Sequence, residues 1–227
     1  MSNHILQSKK LLAIVVILSV IIIDQIVKIW VKTHFYLGES LEIASWFQIR
    51  FIENNGMAFG MELGSKLFLT LFRIIVVASL IYYIIKLVKK RFIPKGYIAC
   101  IALIIAGAAG NIFDCIFYGI IFNNPAPPEI AVFTGGEYGY APLFYGKVVD
   151  MLYFPLFSFT WPDWIPWIGG QHFMFFEPVF NIADAAISVG MIIVILFYHK
   201  YIGPFNEVEK KLCPESQIED RKCDSEI

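Results

Sequence analysis

The sequence predicts an all-α membrane protein with four transmembrane helices, a small extracytoplasmic β element and both termini in the cytoplasm. Three observations lead there. The 227 residues are 58% hydrophobic and only 16% charged, whereas soluble domains carry roughly a quarter charged residues; the mean hydropathy is +0.66. Four proline-free apolar runs each approach the roughly 20 residues that a helix needs to cross a bilayer. Basic residues gather on one side of those runs, which sets an orientation.

The first run, Leu11–Val31, follows Lys9 and Lys10 and has the outline of a signal peptide. No small-x-small cleavage site follows, and Asp24 and Lys28 recur at helical spacing, so a retained helix is expected. Asp24 and Lys28 share a helix face with the acid toward the N-terminus, the favourable order. They are either a buried packing pair or a support for a site, and the spacing leaves both open.

Segment 32–66 comes next. Leu41–Phe51 alternates β-branched and aromatic residues in part and reads as a short strand or hairpin at the membrane surface. Asn54-Asn55-Gly56 signals a turn. Asn54 can also offer an amide to an extended peptide.

The second run is Leu67–Val88. The connection after it carries Lys86, Lys89, Lys90, Arg91 and Lys95, while Tyr118 to Pro178 holds Lys147 as its one basic residue. Both termini and the 86–95 turn are therefore assigned to the cytoplasm, and segments 32–66 and 118–178 to the other side. The third run, Ile98–Phe117, contains Gly107-Ala108-Ala109-Gly110, small residues that let helices approach closely. Asn111 and Asp114 follow, three apart on one face. Buried polar groups need partners; these two either satisfy each other and a neighbouring helix or shape a polar pocket.

Segment 118–178 is more than a loop. Asn123–Pro128 is irregular by its prolines. The Trp161–Gly170 stretch, rich in Trp, Pro and Gly, has the rings that settle at lipid headgroups. Asp150 ends Val148-Val149-Asp150 and is not placed by helix arithmetic. The fourth run, Val179–Tyr201, places Asn181, Asp184 and Ser188 on one stripe. Residues 1–203 form one helical domain, and 204–227 is a charged tail expected to be disordered.

Carboxylates near lipid are costly and invite a functional explanation. Asp150 and Asp184, carried by neighbouring segments, suggest a pair that shares a proton and activates a water. Two close carboxyls titrate together, one held protonated by the charge of the other. The ionised member takes a proton from water while the protonated one polarises a carbonyl. A net charge of −1 gives no reason to expect a nucleic-acid partner. Cys100, Cys115, Cys213 and Cys223 match no zinc or disulfide spacing, and His4, His34, His172 and His199 are scattered. No metal or cofactor is expected.

Five patches in order resemble lipoprotein signal peptidase, or signal peptidase II. They are Asp24-Gln25-Ile26-Val27-Lys28; Asn54, Gly56, Ala58 and Phe59; Gly110, Asn111 and Asp114; Val148-Val149-Asp150; and Phe180, Asn181, Ala183 and Asp184. The resemblance implies an intramembrane aspartic endopeptidase of the bacterial cytoplasmic (inner) membrane, with its active site near the periplasmic face. Its substrates would be diacylglyceryl prolipoproteins, cut before the lipidated cysteine; its other partners would be membrane lipids and the inhibitor globomycin. Asp150 and Asp184 map onto the catalytic dyad. Asn54, Gly56, Asn111, Asp114, Asn181, Asp24 and Lys28 map onto its binding and support shell. Two departures stand out: Cys115 where the family has Arg, a charge that Arg50 or Arg73 is the candidate to replace, and an insertion at Ile121–Tyr145. An ion or proton transporter is the alternative that also uses intramembrane acids, and a non-catalytic membrane scaffold is the third.

Overall fold

The computed structural model describes residues 2–55, 66–175, 177–203 and 207. Gly56, the Ala58–Phe59 patch, Cys213, Cys223 and the tail lie outside the described residues. The helices are α1 (Ser2–His34), α2 (Lys66–Lys89), α3 (Lys95–Phe113), the short α4 (Gly119–Ile121) and α5 (Ile182–Phe197). A π-helical turn, Asp114–Tyr118, joins α3 to α4 without interrupting the rod.

Among the described residues three helical stretches are long and apolar enough to cross a membrane: His4–His34, Lys66–Lys89 and Lys95–Ile121. Each contains the run read from sequence and extends beyond it. The fourth run is shorter than expected, since α5 has 16 residues, about 24 Å of helix. Its first residues are used elsewhere: Phe180 pairs with Leu152 as an isolated bridge, and Asn181 caps the helix. At the far end the helix stops at Tyr198 and a 3-10 turn takes over at His199–Tyr201.

The third stretch is central. Of its apolar window 61% is buried, against 22% and 17% for the first two, and α3 packs against α1, α2 and α5. Small residues make this possible. A Cβ at Gly107 would lie 2.1 Å from the Ala183 carbonyl oxygen, so only glycine allows α3 and α5 this close. Tyr97, Ile98, Ala102 and Ile105 of α3 form the core with Leu87 of α2. Leu11, Ile14, Leu18 and Ile22 of α1, and Phe68, Phe72 and Ile75 of α2, face outward, as lipid-facing side chains do. Lys9, buried, ties α1 to the α2–α3 connection by donating to the carbonyls of Lys90 (2.8 Å) and Arg91 (3.3 Å).

The β element is larger than the sequence suggested. Strands β1 (Ser40–Ala44), β2 (Phe47–Asn54) and β3 (Val148–Tyr153) form an antiparallel sheet in that order. The expected hairpin at Leu41–Phe51 is β1–β2. A second hairpin pairs β4 (Phe157–Thr160) with β5 (His172–Phe175), and the Trp161–Gly170 stretch forms its tip. The insertion is tied down along its length. Backbone bonds run from Thr134 to Ile121 (2.9 Å), Tyr140 to Phe122 (3.1 Å), Ala141 to Gly119 (3.0 Å) and Gly146 to Cys115 (2.8 Å).

Candidate active site

β3 positions Asp150. The strand is buried over Val148, Val149, Asp150 and Met151, which is why it reads as an apolar run broken by one acid. β2 pairs with it on one edge, Ile52 opposite Asp150. Phe180 pairs on the other, its carbonyl accepting from Leu152 at 2.7 Å. That second pairing sets Asn181 against Asp150 and starts α5 at Ile182, two residues before Asp184.

Asn181 is the N-cap of α5: its backbone is extended and its side-chain oxygen accepts the Asp184 N–H at 2.8 Å. This satisfies one of the orphan donors of the first turn. Its side-chain nitrogen donates to Asp150 Oδ1 at 2.6 Å and lies 3.2 Å from Asn111 Oδ1. Asn111 in turn donates to Asp184 Oδ1 at 2.7 Å. Two asparagines thus connect the two carboxyls. The side chain of Asn54 also hydrogen-bonds Asp150.

The environments of the two acids differ. Asp150 is 4% exposed, and its pKa is pushed up to about 7, first by burial and then by the negative charge of Asp184. Asp184 is only partly buried and occupies the first turn of α5, where the helix dipole favours a negative charge.

Beneath the pair lies a second charged layer. Lys28, fully buried, places its ammonium 2.9 Å from Asp24 Oδ2, 2.7 Å from Asp114 Oδ2 and 2.8 Å from Asn111 Oδ1. All three of its protons are therefore used. Asp24 Oδ1 accepts the Ala183 N–H at 2.9 Å, a second orphan donor of α5. The i,i+4 pair in α1 therefore supports the start of the helix that bears Asp184, which unites the two readings left open by its spacing. Gln25, absent from the expected site, donates to Asp114 Oδ1 at 2.8 Å and accepts from Tyr118 at 3.0 Å. It follows Asp24 in sequence, and that adjacency was the available signal. Asn111 and Asp114 share a face as expected and meet through Lys28. Ser188 is exposed and does not extend the stripe inward.

Lys32, one turn beyond Lys28, pairs with Glu53, and Lys147 reaches the same carboxylate at 3.0 Å. Sequence reasoning missed this cluster. Of the two arginines considered beside Cys115, Arg73 is the one that reaches it, with Nη1 3.7 Å from Cys115 Sγ. Arg50 instead lies over the Tyr153 ring.

The chain has counterparts. The family model described as signal peptidase (SPase) II matches residues 16–200. A lipoprotein signal peptidase of Porphyromonas gingivalis is 48% identical over 214 residues, 94% of this chain and 93% of the relative. Another, from Amoebophilus asiaticus, is 41% identical over 184 residues, 78% of this chain and 72% of the relative. A bacterial membrane enzyme solved by the in meso method at 2.3 Å superposes with a TM-score of 0.55 at 25% identity, over 84% of this chain and 89% of the other. With the match running from the first helix to the last and nearly full-length identity close to one half, this multi-pass membrane protein belongs to the signal peptidase II family.

Proposed function

We propose that the chain is an aspartic endopeptidase that removes the signal peptide from diacylglyceryl-modified prolipoproteins, cutting before the lipidated cysteine. The observation that carries this reading is the joining of Asp150 and Asp184 through Asn181 and Asn111, with the charge of one acid raising the pKa of the other. Asp184, ionised at the start of α5, accepts a proton from an attacking water. Asp150, buried and protonated, donates to the scissile carbonyl as the tetrahedral intermediate forms. The proton on Asp184 then passes to the departing amide nitrogen, a hydroxyl of the intermediate returns its proton to Asp150, and the C–N bond breaks. Asn54, Asn111 and Asn181 hold the carboxyls and the peptide, with Asp24, Lys28 and Asp114 as the layer beneath; Gly56 belongs to the same patch by its motif.

In this reading α5 is the fourth span, both termini are cytoplasmic, and the site opens at the periplasmic face of the inner membrane. Water enters from outside, and the substrate arrives through the bilayer. Its acyl chains lie on the apolar helix faces, each buried methylene contributing about 0.8 kcal/mol.

The test is cleavage of a diacylglyceryl prolipoprotein by the purified protein in detergent, with and without globomycin. Asp150→Asn and Asp184→Asn should each still fold, melting cooperatively at neutral pH, and lose cleavage. Wild-type turnover in either variant would remove the assignment.

A further inference from the structure

The buried cluster above β2 has no part in the chemistry just described, yet it lies one residue from it. The Glu53 side chain is 2% exposed and is gripped by Lys32, 1% exposed, and by Lys147 at 3.0 Å. The ammonium of Lys32 lies 5.7 Å from the Phe51 ring centroid, 5.2 Å from Phe122 and 5.3 Å from Tyr140, a cage that favours a cation. Tyr140 also sits beneath Lys147, and its hydroxyl accepts the Lys147 N–H at 2.7 Å. Asn124 completes the set when its amide nitrogen faces Glu53 (3.0 Å) and its oxygen faces Lys147 (3.3 Å). Phe122, Asn124 and Tyr140 all belong to the insertion.

The position of this cluster along the sheet gives it a task. Ile49 pairs with Leu152 and Ile52 with Asp150, so β2 carries one extra residue directly beside the acid. Such a bulge interrupts the ladder and bends the strand. Pairing on one side of it therefore does not dictate pairing on the other. Beyond the bulge β2 and β3 share three pairs: Ile52 with Asp150, Glu53 with Val149 and Asn54 with Val148. The Glu53–Lys147 ion pair closes that short stretch from its end, and Lys32 anchors it to α1.

We infer that Glu53 is a positioning residue. Held between Lys32 and Lys147, it fixes the register of β2 against β3 beyond the bulge and so sets where Asn54 meets the Asp150 carboxyl. The insertion helps to bury Lys32 and Glu53 and supplies two of the three rings that hold Lys32. This inference rests on the reading of Asp150 as catalytic.

The experiment compares kcat and KM of the full-length protein on a diacylglyceryl-modified prolipoprotein peptide, with melting temperatures recorded for every variant. Lys147→Met removes the outermost partner and leaves the Lys32–Glu53 pair intact, so it is the variant that tests the idea without a folding defect. Its kcat should fall five-fold or more with KM within two-fold, and Lys147→Arg should recover most of the rate. Adding Glu53→Gln to Lys147→Met should lower kcat no further than the weaker of the two single variants, because both remove the same grip. A folded Lys147→Met with kcat reduced less than five-fold, or a defect seen in KM alone, overturns the inference. Asp150→Asn runs alongside: if it cleaves, the peptidase reading fails and takes this inference with it; if it is inactive while Lys147→Met is fully active, only the inference fails.

Discussion

Asn181 donates its amide to the Asp150 carboxyl at 2.6 Å and, with its other end, caps the helix whose third residue is Asp184. One side chain therefore sets the orientation of one acid and the starting point of the other. The two duties separate by substitution. Serine at 181 keeps a capping oxygen and loses the amide nitrogen that reaches Asp150, so Asn181→Ser should keep the cap while the carboxyl left without its partner costs about 1–3 kcal/mol. Cleavage should drop at least ten-fold. Melting and turnover measured on the same preparation check both. Asn181→Ala should lose about 1 kcal/mol of stability as well.

The proton on Asp150 predicts a pH dependence. Its pKa, near 7 in the folded protein, lies far above the ordinary value of about 3.9. The native state therefore binds the proton more tightly than the unfolded chain. The stability this confers is complete below about pH 4 and declines as pH rises. It is gone above about 7. Cleavage should fall over the upper end of the same interval, as Asp150 loses the proton it donates. A rate profile flat from pH 6 to 8 would contradict the assignment. Asp150→Asn should flatten the stability profile between about pH 4 and 7.

Lys28 neutralises two buried acids at once, 2.9 Å from Asp24 and 2.7 Å from Asp114. Lys28→Met leaves both uncompensated and should cost about 3–5 kcal/mol, read as a lower melting temperature in detergent. Adding Asp114→Asn removes one of the stranded charges and should recover part of that loss. A double variant less stable than the single would show that the layer is not held by charge balance.

Arg73 reaches from α2 to within 3.7 Å of Cys115 Sγ, where family members carry their own arginine on the third span. Arg73→Gln should raise KM for the lipidated peptide. Cys115→Arg on that background should bring it back, because the charge returns to the same place from the other helix. Unchanged KM in Arg73→Gln would show that no substrate contact arises there.

The apolar spans were legible because each is a long run with nothing to break it, and Asp24–Lys28 because four residues make one helical turn. The close approach at Gly107 followed from residue size. Other features were hidden for physical reasons. Asp150 is fixed by strand pairing, and partners such as Ile52 and Phe180 lie far away in sequence. Glu53 and Lys32 meet across two elements, and nothing in their local sequence says so. The fourth apolar run lost its start because Phe180 serves strand pairing and Asn181 capping before the helix begins. Hydropathy counts all of these residues alike.

The chain leaves β3 at Tyr153 and returns at Phe180, and the paired backbone of Leu152 and Phe180 closes the gap between. The β4–β5 hairpin, with Trp164 81% and Trp167 96% exposed at its tip, lies outside that staple. A bond from the Tyr153 hydroxyl to Met174 is the hairpin's tie back to β3; its tip projects beyond both. The exposed tip is thus the natural attachment point for a fluorophore or an affinity tag.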